Sequence, residues 1–269
     1  MKITLLGTGT SIGVPTIGCD CEVCTSTDPR DKHLRCAALV QTEHTQMLID
    51  CGPDIRQQML PRPFRKLDGV LLTHEHYDHV GGIDDLRPFC IHGTVNLYGK
   101  RRTLQHLRRT MYYCFPNSVL QRLAEAFPLF RRFGLYPGVP LLKLNEVKAH
   151  QSFAVGDIEV MPINVMHGRL PIFGYRMGKF AYITDMKTIP DAELHYLRGV
   201  EVLVVNALRF DTPHHSHQLV ADAVAFAQRV GARATYLIHC NHDIGRYEEV
   251  ARKLPEGVFF GYDGLQIEV

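Results

Sequence analysis

Within the segment Thr73-His74-Glu75-His76-Tyr77-Asp78-His79, the six residues from His74 to His79 carry three imidazoles and two carboxylates, directly behind an apolar stretch. Imidazole nitrogen and carboxylate oxygen suit Zn, Mn, Fe or Ni, and their alternation along a turn lets neighbouring side chains reach different ions. A solvated polar turn has no need of this repeated choice. A second group, Cys19-x-Cys21-x-x-Cys24, offers three thiolates at a spacing that suits a zinc ion better than disulfide bridges. A closed zinc site takes four ligands, so one is missing from this run. The other five cysteines, Cys36, Cys51, Cys90, Cys114 and Cys240, stand apart in apolar or His-rich contexts, and most of them read as buried reduced thiols. Further histidines stand at His167, in the run His214, His215 and His217, and at His239 and His242.

Strands must position these groups. Lys2 to Leu6 alternates polar and apolar residues like a half-buried strand and stops at the turn Gly7-Thr8-Gly9-Thr10, which lacks the Lys-Ser/Thr of a phosphate loop. Ala37 to Thr42, Gln46 to Asp50 and Asp68 to Thr73 follow as strands, the last ending where the His cluster begins. A helix is expected over Asp78 to Phe89, with Asp at its positive end. Val95 to Tyr98 reads as a strand and Arg101 to Cys114 as a basic helix whose arginines, Arg101, Arg102, Arg108 and Arg109, form a solvated face. The stretch from about 99 to 150, Pro- and Phe-rich beyond 116, reads as an insertion or lid within a single 1–269 domain. Strands return at Ile158 to Ile163, Ile172 to Met177, Phe180 to Thr184, Val200 to Asn206, Thr235 to His239 and Leu265 to Val269, with an amphipathic helix over Ala221 to Val230. Polar clusters recur at strand ends, which suggests an α/β protein of two packed sheets with helices outside.

Composition narrows the functional classes. The 269 residues are 45% hydrophobic and 22% charged, as in ordinary globular proteins, and 30 Lys and Arg against 28 Asp and Glu leave a net charge of +2. This balance does not suggest a binder that holds nucleic acid or a membrane by overall charge. No apolar run approaches a membrane span, and the start has no signal-peptide core, so a cytoplasmic location is expected.

His74-x-His76-x-Asp78-His79, followed by Gly81-Gly82 and preceded by a strand, resembles the signature of the metallo-β-lactamase superfamily. The resemblance implies a four-layer αββα sandwich and further ligands downstream in order, each at a strand end. His167, Asp185 and His239 stand in such places. By resemblance, His74, His76 and His167 hold one divalent ion, Asp78, His79 and His239 a second, and Asp185 bridges them; two carboxylate oxygens can span ions about 3.5 to 4 Å apart. Asp50, ahead of Cys51-Gly52, is similar to the family's Asp-x-Gly turn and is either an orienting partner of the His loop or a plain turn residue.

Within the superfamily, Cys19, Cys21 and Cys24 with His242 as the candidate fourth zinc ligand, the run Leu6 to Pro15, Phe173-Gly174-Tyr175 and Gly261-Tyr262-Asp263-Gly264 resemble the phosphoribosyl cyclic phosphodiesterases of the carbon–phosphorus lyase pathway over nearly the whole chain. This implies an enzyme: a dinuclear hydrolase with two Mn or Zn ions and one structural Zn, acting on a small cyclic phosphate or nucleotide-like diester. His217, ahead of Val220 and Ala223, then serves as general acid or as a donor to a phosphoryl oxygen, with His215 as the alternative register. Asp78 and Asp185 complete the catalytic set. Two other relationships compete. A ribonuclease Z-like RNA phosphodiesterase would need a Gly-rich basic arm, which the sequence lacks, so no nucleic-acid partner is expected. A non-hydrolytic accessory protein, similar to that of pyrroloquinoline quinone biosynthesis, would not need the full set of seven ligands. A homodimer contact through the aromatic stretch stays open.

Overall fold

The computed structural model describes residues 1–115 and 139–269. Six strands in chain order, β1 (Lys2–Gly7), β2 (Ala37–Gln41), β3 (Gln46–Ile49), β4 (Gly69–Leu71), β5 (Val95–Gly99) and β6 (Leu142–Glu146), form one sheet. The next seven, β7 (Phe153–Val155), β8 (Ile158–His167), β9 (Leu170–Met177), β10 (Phe180–Ile183), β11 (Val202–Asn206), β12 (Ala234–Ile238) and β13 (Val258–Phe260), form the other. The last strand, β14 (Gln266–Glu268), returns to pair antiparallel with β1, so the orders are β14-β1-β2-β3-β4-β5-β6 and β13-β12-β11-β10-β9-β8-β7.

The alternation within the strands dictates three layers of core. Ile3, Leu5, Val40, Met47 and Ile49 from the first sheet face Phe173, Tyr175, Tyr182, Val204 and Ile238 from the second, and all are buried. The outer face of the first sheet packs Leu48, Val70 and Leu97 on Ile55, Leu86, Leu104 and Leu107 of the helices above it. The outer face of the second buries Leu203, Val205 and Leu237 under Ala223 and Phe226. Strand β11 runs parallel between β10 and β12 and is buried throughout, which is why it reads as a continuous apolar run. Helix on sheet on sheet on helix is the expected αββα order. No helix among the described residues is long and apolar enough to cross a membrane.

Several expectations need correction. The helix expected over Asp78 to Phe89 is two pieces, the short α-helix Tyr77–Val80 and a 3₁₀ stretch Ile83–His92. Gly81 and Gly82 separate them because the chain there lies on another backbone: a Cβ on Gly82 would strike the Gly52 carbonyl. Pro88 further weakens α-helical pairing in the second piece. The basic helix is α-helical only over Arg101–Thr110, ending in a 3₁₀ turn Tyr112–Cys114. Strands β6, β7 and β13 and the helix Tyr247–Lys253 escape the sequence reading, the strands because three to five residues are too few to show a period. Within the stretch from 99 to 150, Leu142–Glu146 is an integral strand parallel to β5, whereas Phe127, Phe130, Phe133 and Tyr136 lie outside the described residues.

The loop after β3 and the His loop after β4 interlock through backbone. Cys51 N donates to His79 O at 2.8 Å and Gly82 N to Cys51 O at 2.9 Å, while a Cβ on Gly52 would overlap the Asp78 carbonyl oxygen. Gly52→Ala should therefore push the two loops apart, at a cost of about 1–3 kcal/mol. A lowered melting temperature together with reduced metal uptake is the expected result, measured by calorimetry and metal analysis against the parent chain.

Candidate metal centre

The predicted active-site metal ligands lie at the C-terminal ends of strands or in the loop and short helix that follow β4. His74 follows β4 by way of Leu72 and Thr73, His167 ends β8, Asp185 follows β10 and His239 follows β12. The ends converge. His74, His76, His167 and Asp185 form one group, and Asp78, His79, Asp185 and His239 another, the ligand atoms of each lying within 4.8 Å of one another. Asp185 belongs to both. Its Oδ2 lies 3.6 Å from His74 Nε2, and its Oδ1 lies 3.0 Å from His239 Nε2 and 3.4 Å from His79 Nε2.

The ring orientations are set from behind. His79 Nδ1 donates to Asp50 Oδ2 at 2.7 Å, which leaves Nε2 for the cluster. The same Asp50 accepts from Thr73 N at 2.8 Å and from Thr73 Oγ1 at 2.9 Å, and Thr73 Oγ1 accepts from His74 Nδ1 at 3.0 Å. His167 Nδ1 donates to the Ser216 carbonyl at 3.0 Å. Three rings thus present Nε2 inward because their other nitrogen is spent. Asp50 is an orienting residue rather than a plain turn. Glu75, the remaining acidic member of the motif, turns away to accept from Thr103 Oγ1 and pair with Arg102 of the basic helix.

Charge in the cluster is arranged for cations. Burial alone would depress His79, but Asp185, Asp78 and Asp50 outweigh it and raise its pKa well above the ordinary imidazole value. Burial would raise Asp185, yet His239 and His79 outweigh it and hold the carboxyl well below its usual range. His74 is pushed well below the ordinary imidazole value, by burial and by His79 beside it. Meanwhile His79 Nε2 and both nitrogens of His239 are buried without a hydrogen-bond partner. Orphaned donors and acceptors of this kind cost about 1–3 kcal/mol each, and cations in the cluster would satisfy the Nε2 atoms of His79 and His239. The donor set therefore fits divalent metals.

His217 lies across both groups, its ring centroid 4.7 Å from His167 and 4.7 Å from His239, with Nδ1 buried and unpartnered. Burial, with His239 close by, lowers its pKa to about 2, so the ring is neutral. His215 is exposed and packs on His214 at 4.4 Å, so it is His217 that the fold brings to the clusters. A cavity of about 650 Å³ opens over them, with Ser11, Arg169, Leu170 and His215 among its lining residues. Arg169, on the two-residue turn between β8 and β9, carries no signal in the sequence beyond its nearness to His167. A larger groove of about 900 Å³, between β1 and the segment Arg62 to Arg65, is lined by none of the predicted site residues.

The thiolate group also assembles. Cys19 Sγ and Cys21 Sγ lie 3.3 and 3.2 Å from His242 Nδ1, and Cys24 completes a group of four. The His242 hydrogen bond lowers Cys21 to about 6, whereas burial pushes Cys24 up to about 11. Backbone N–H groups of Thr16 and Cys24 point at the sulfurs, as suits thiolate.

The model of the beta-lactamase superfamily domain matches residues 45–240. The chain belongs to the beta-lactamase superfamily. Among superfamily structures, a diphosphatase from the PhnP family superposes with a TM-score of 0.85 at 36% identity, covering 99% of this chain and 96% of that one. A ribonuclease Z of a Bradyrhizobium species is 50% identical, the match covering 78% of this chain and 84% of the relative. An octanoyltransferase of Porphyromonas gingivalis is 43% identical over 267 residues, which are 99% of this chain and 51% of that protein. The chain therefore spans about half the length of that relative.

The thiolate group contributes no residue to the lining of the cavity, so a zinc ion held there would be structural. Cys21→Ser should lower the melting temperature and remove zinc from that group while the His and Asp groups still bind metal. Unchanged stability with unchanged zinc content would show that the four residues hold no ion.

Proposed function

We propose that the chain is a dinuclear metal-dependent phosphodiesterase acting on a small cyclic phosphate or nucleotide-like diester. The observation that carries this reading is the geometry of Asp185 and His217. One carboxylate directs an oxygen at each group, and one neutral imidazole lies across both with an unspent nitrogen. His74, His76 and His167 would hold one ion, Asp78, His79 and His239 the other, with Asp185 between. Divalent ions there supply Lewis acidity toward phosphoryl oxygens and bring the pKa of water from 15.7 toward about 7.

The chain's own residues do the rest. Asp78 and Asp185 carry less negative charge than two divalent ions bring, so the loaded site stays positive and favours an anionic diester. Arg169 at the rim adds a second positive group. His217, neutral in the open pocket, donates an N–H to a phosphoryl oxygen directly, or takes up a proton with the anionic substrate and delivers it to the leaving alkoxide. The diphosphatase relative supports phosphoryl chemistry. About half of the octanoyltransferase relative lies beyond the match, and acyl transfer enters no step here. The likeness to a ribonuclease Z favours RNA as the competing substrate.

Turnover of Mn²⁺- or Zn²⁺-loaded protein on cyclic phosphates, nucleotide diesters and tRNA precursors separates these substrates; activity confined to tRNA precursors would replace the small-diester assignment. His217→Ala should leave metal content intact and reduce diester turnover by about 10² to 10⁴. If His217 protonates the leaving group, the loss is smaller for a nitrophenyl ester than for a sugar or alkyl ester. An equal loss for both identifies it as a donor to the phosphoryl oxygen, and no loss removes it from the reaction.

A further inference from the structure

His239 stands where the two cation groups share one loop: it belongs to the Asp78, His79 and Asp185 group, and His242, three residues on, belongs to the thiolates. Its backbone is left-handed, with φ +56°, a conformation that costs a non-glycine residue on the order of 1–3 kcal/mol and persists only where neighbours over-determine it. Those neighbours come largely from the turn after β1. Cys240 N donates to Thr8 O at 3.1 Å and Thr10 N donates to Cys240 O at 2.9 Å, a short parallel pairing centred on Gly9 and Cys240. From the other side Ala207 N holds Ile238 O at 2.8 Å and Asn241 N reaches Leu208 O at 3.1 Å.

Thr8 is itself clamped. Its buried hydroxyl donates to Asp263 Oδ1 at 2.7 Å and accepts from His33 Nδ1 at 2.7 Å, and Asp263 Oδ2 accepts from Leu34 N at 2.7 Å. His33 is fully enclosed, and Gly9 N donates to Leu34 O at 2.8 Å. Thr8, His33 and Asp263 stand in neither ligand group, and the proposed reaction uses none of them. Two side chains, His33 and Asp263, thus converge on the hydroxyl of Thr8, and the backbone carbonyl of Thr8 receives the N–H of the residue after His239.

We propose that Thr8, held by Asp263 and His33, is a positioning residue that fixes His239 toward the Asp78–His79–Asp185 group. The inference rests on the reading of that group as a metal site and is independent of the substrate. Supporting partners of metal-ligating histidines are commonly worth 10- to 100-fold in metal affinity. A buried polar cluster serving the fold alone would lower stability without favouring one ion over another.

Titration of the metal-free full chain with Co²⁺ distinguishes the two, because cobalt held by thiolate has a charge-transfer absorption that cobalt held by nitrogen and oxygen lacks. Thr8→Val should weaken one of the two ions of the His and Asp groups about tenfold or more, with the thiolate signal and the other ion unchanged. Thr8→Ser, which keeps the hydroxyl, should restore the parent affinity. Parent affinity for every ion in Thr8→Val, or an equal loss in Thr8→Ser, overturns the proposal. Should Thr8→Val fail to fold, Asp263→Asn keeps the shape and should show the same selective loss, and parent affinities in that variant overturn it equally. A parent chain that binds cobalt at the thiolates alone would instead defeat the dinuclear assignment itself.

Discussion

Asp185 carries a carboxylate at 2% exposure, enclosed by the imidazoles of His74, His79 and His239. A buried charge persists only beside an opposite one, and three carboxylates, Asp50, Asp78 and Asp185, converge on this small volume. His79 answers part of that demand by keeping its proton, although burial opposes it. At an effective dielectric of about 20, unit charges about 4 Å apart interact by about 4 kcal/mol, and a divalent ion doubles that figure for each carboxylate it meets. The imidazoles can then be neutral and direct their lone pairs inward. Asp50 stays behind as the base partner that fixes His79, so it orients a ligand without joining the cluster.

The architecture serves this convergence. Two sheets packed face to face bring the C-terminal ends of β3, β4, β8, β10 and β12 to a common edge: the segment after β4 supplies four of the participants and each of the other ends one. Ties between the sheets fix the edge: Tyr175 OH donates to Leu72 O at 2.6 Å and Phe173 N donates to Thr73 O at 3.0 Å. Asp50, Asp185 and His239 have left-handed φ values of +62°, +56° and +56°. Strand geometry would send residues beyond the last ladder bond onward along the strand. The left-handed residue turns the chain sharply instead, and the surrounding backbone hydrogen bonds offset the strain.

How much of this was legible in the sequence follows from which forces are local. The His74 to His79 run announces itself because the ligands sit within one turn, and the downstream ligands became legible only once that motif supplied an order to expect. Cys19, Cys21 and Cys24 were visible by spacing, while His242 needed the inference that a fourth ligand was missing. Ser216 left no trace, since it orients His167 through a carbonyl that any residue would supply. Arg169 was equally silent: a lone Arg after a His-Gly turn has no pattern. The helix misjudged at Asp78 to Phe89 failed for a tertiary reason, the close approach of Gly82 to Gly52, which composition cannot encode.

A shared cluster does not by itself choose the bond that is cleaved, since two metals and a water can attack phosphorus or carbonyl carbon alike. The choice rests on what surrounds the cluster. Among the residues lining the cavity the carboxylates are Asp78 and Asp185, both committed to the ligand groups, while Arg169, His215 and Ser11 form the outer rim. An anion therefore meets no uncommitted acid in that lining, and a guanidinium offers a planar fork matched to phosphate oxygens. That fork is not independently placed. His167 pairs with Leu170 across the turn Gly168-Arg169, so the hairpin that ends one strand in a proposed metal ligand also sets the distance of the cation from the proposed reacting centre. Any change in the length of that turn would move both, which ties the proposed preference for an anionic substrate to the geometry of the proposed metal site within a single element.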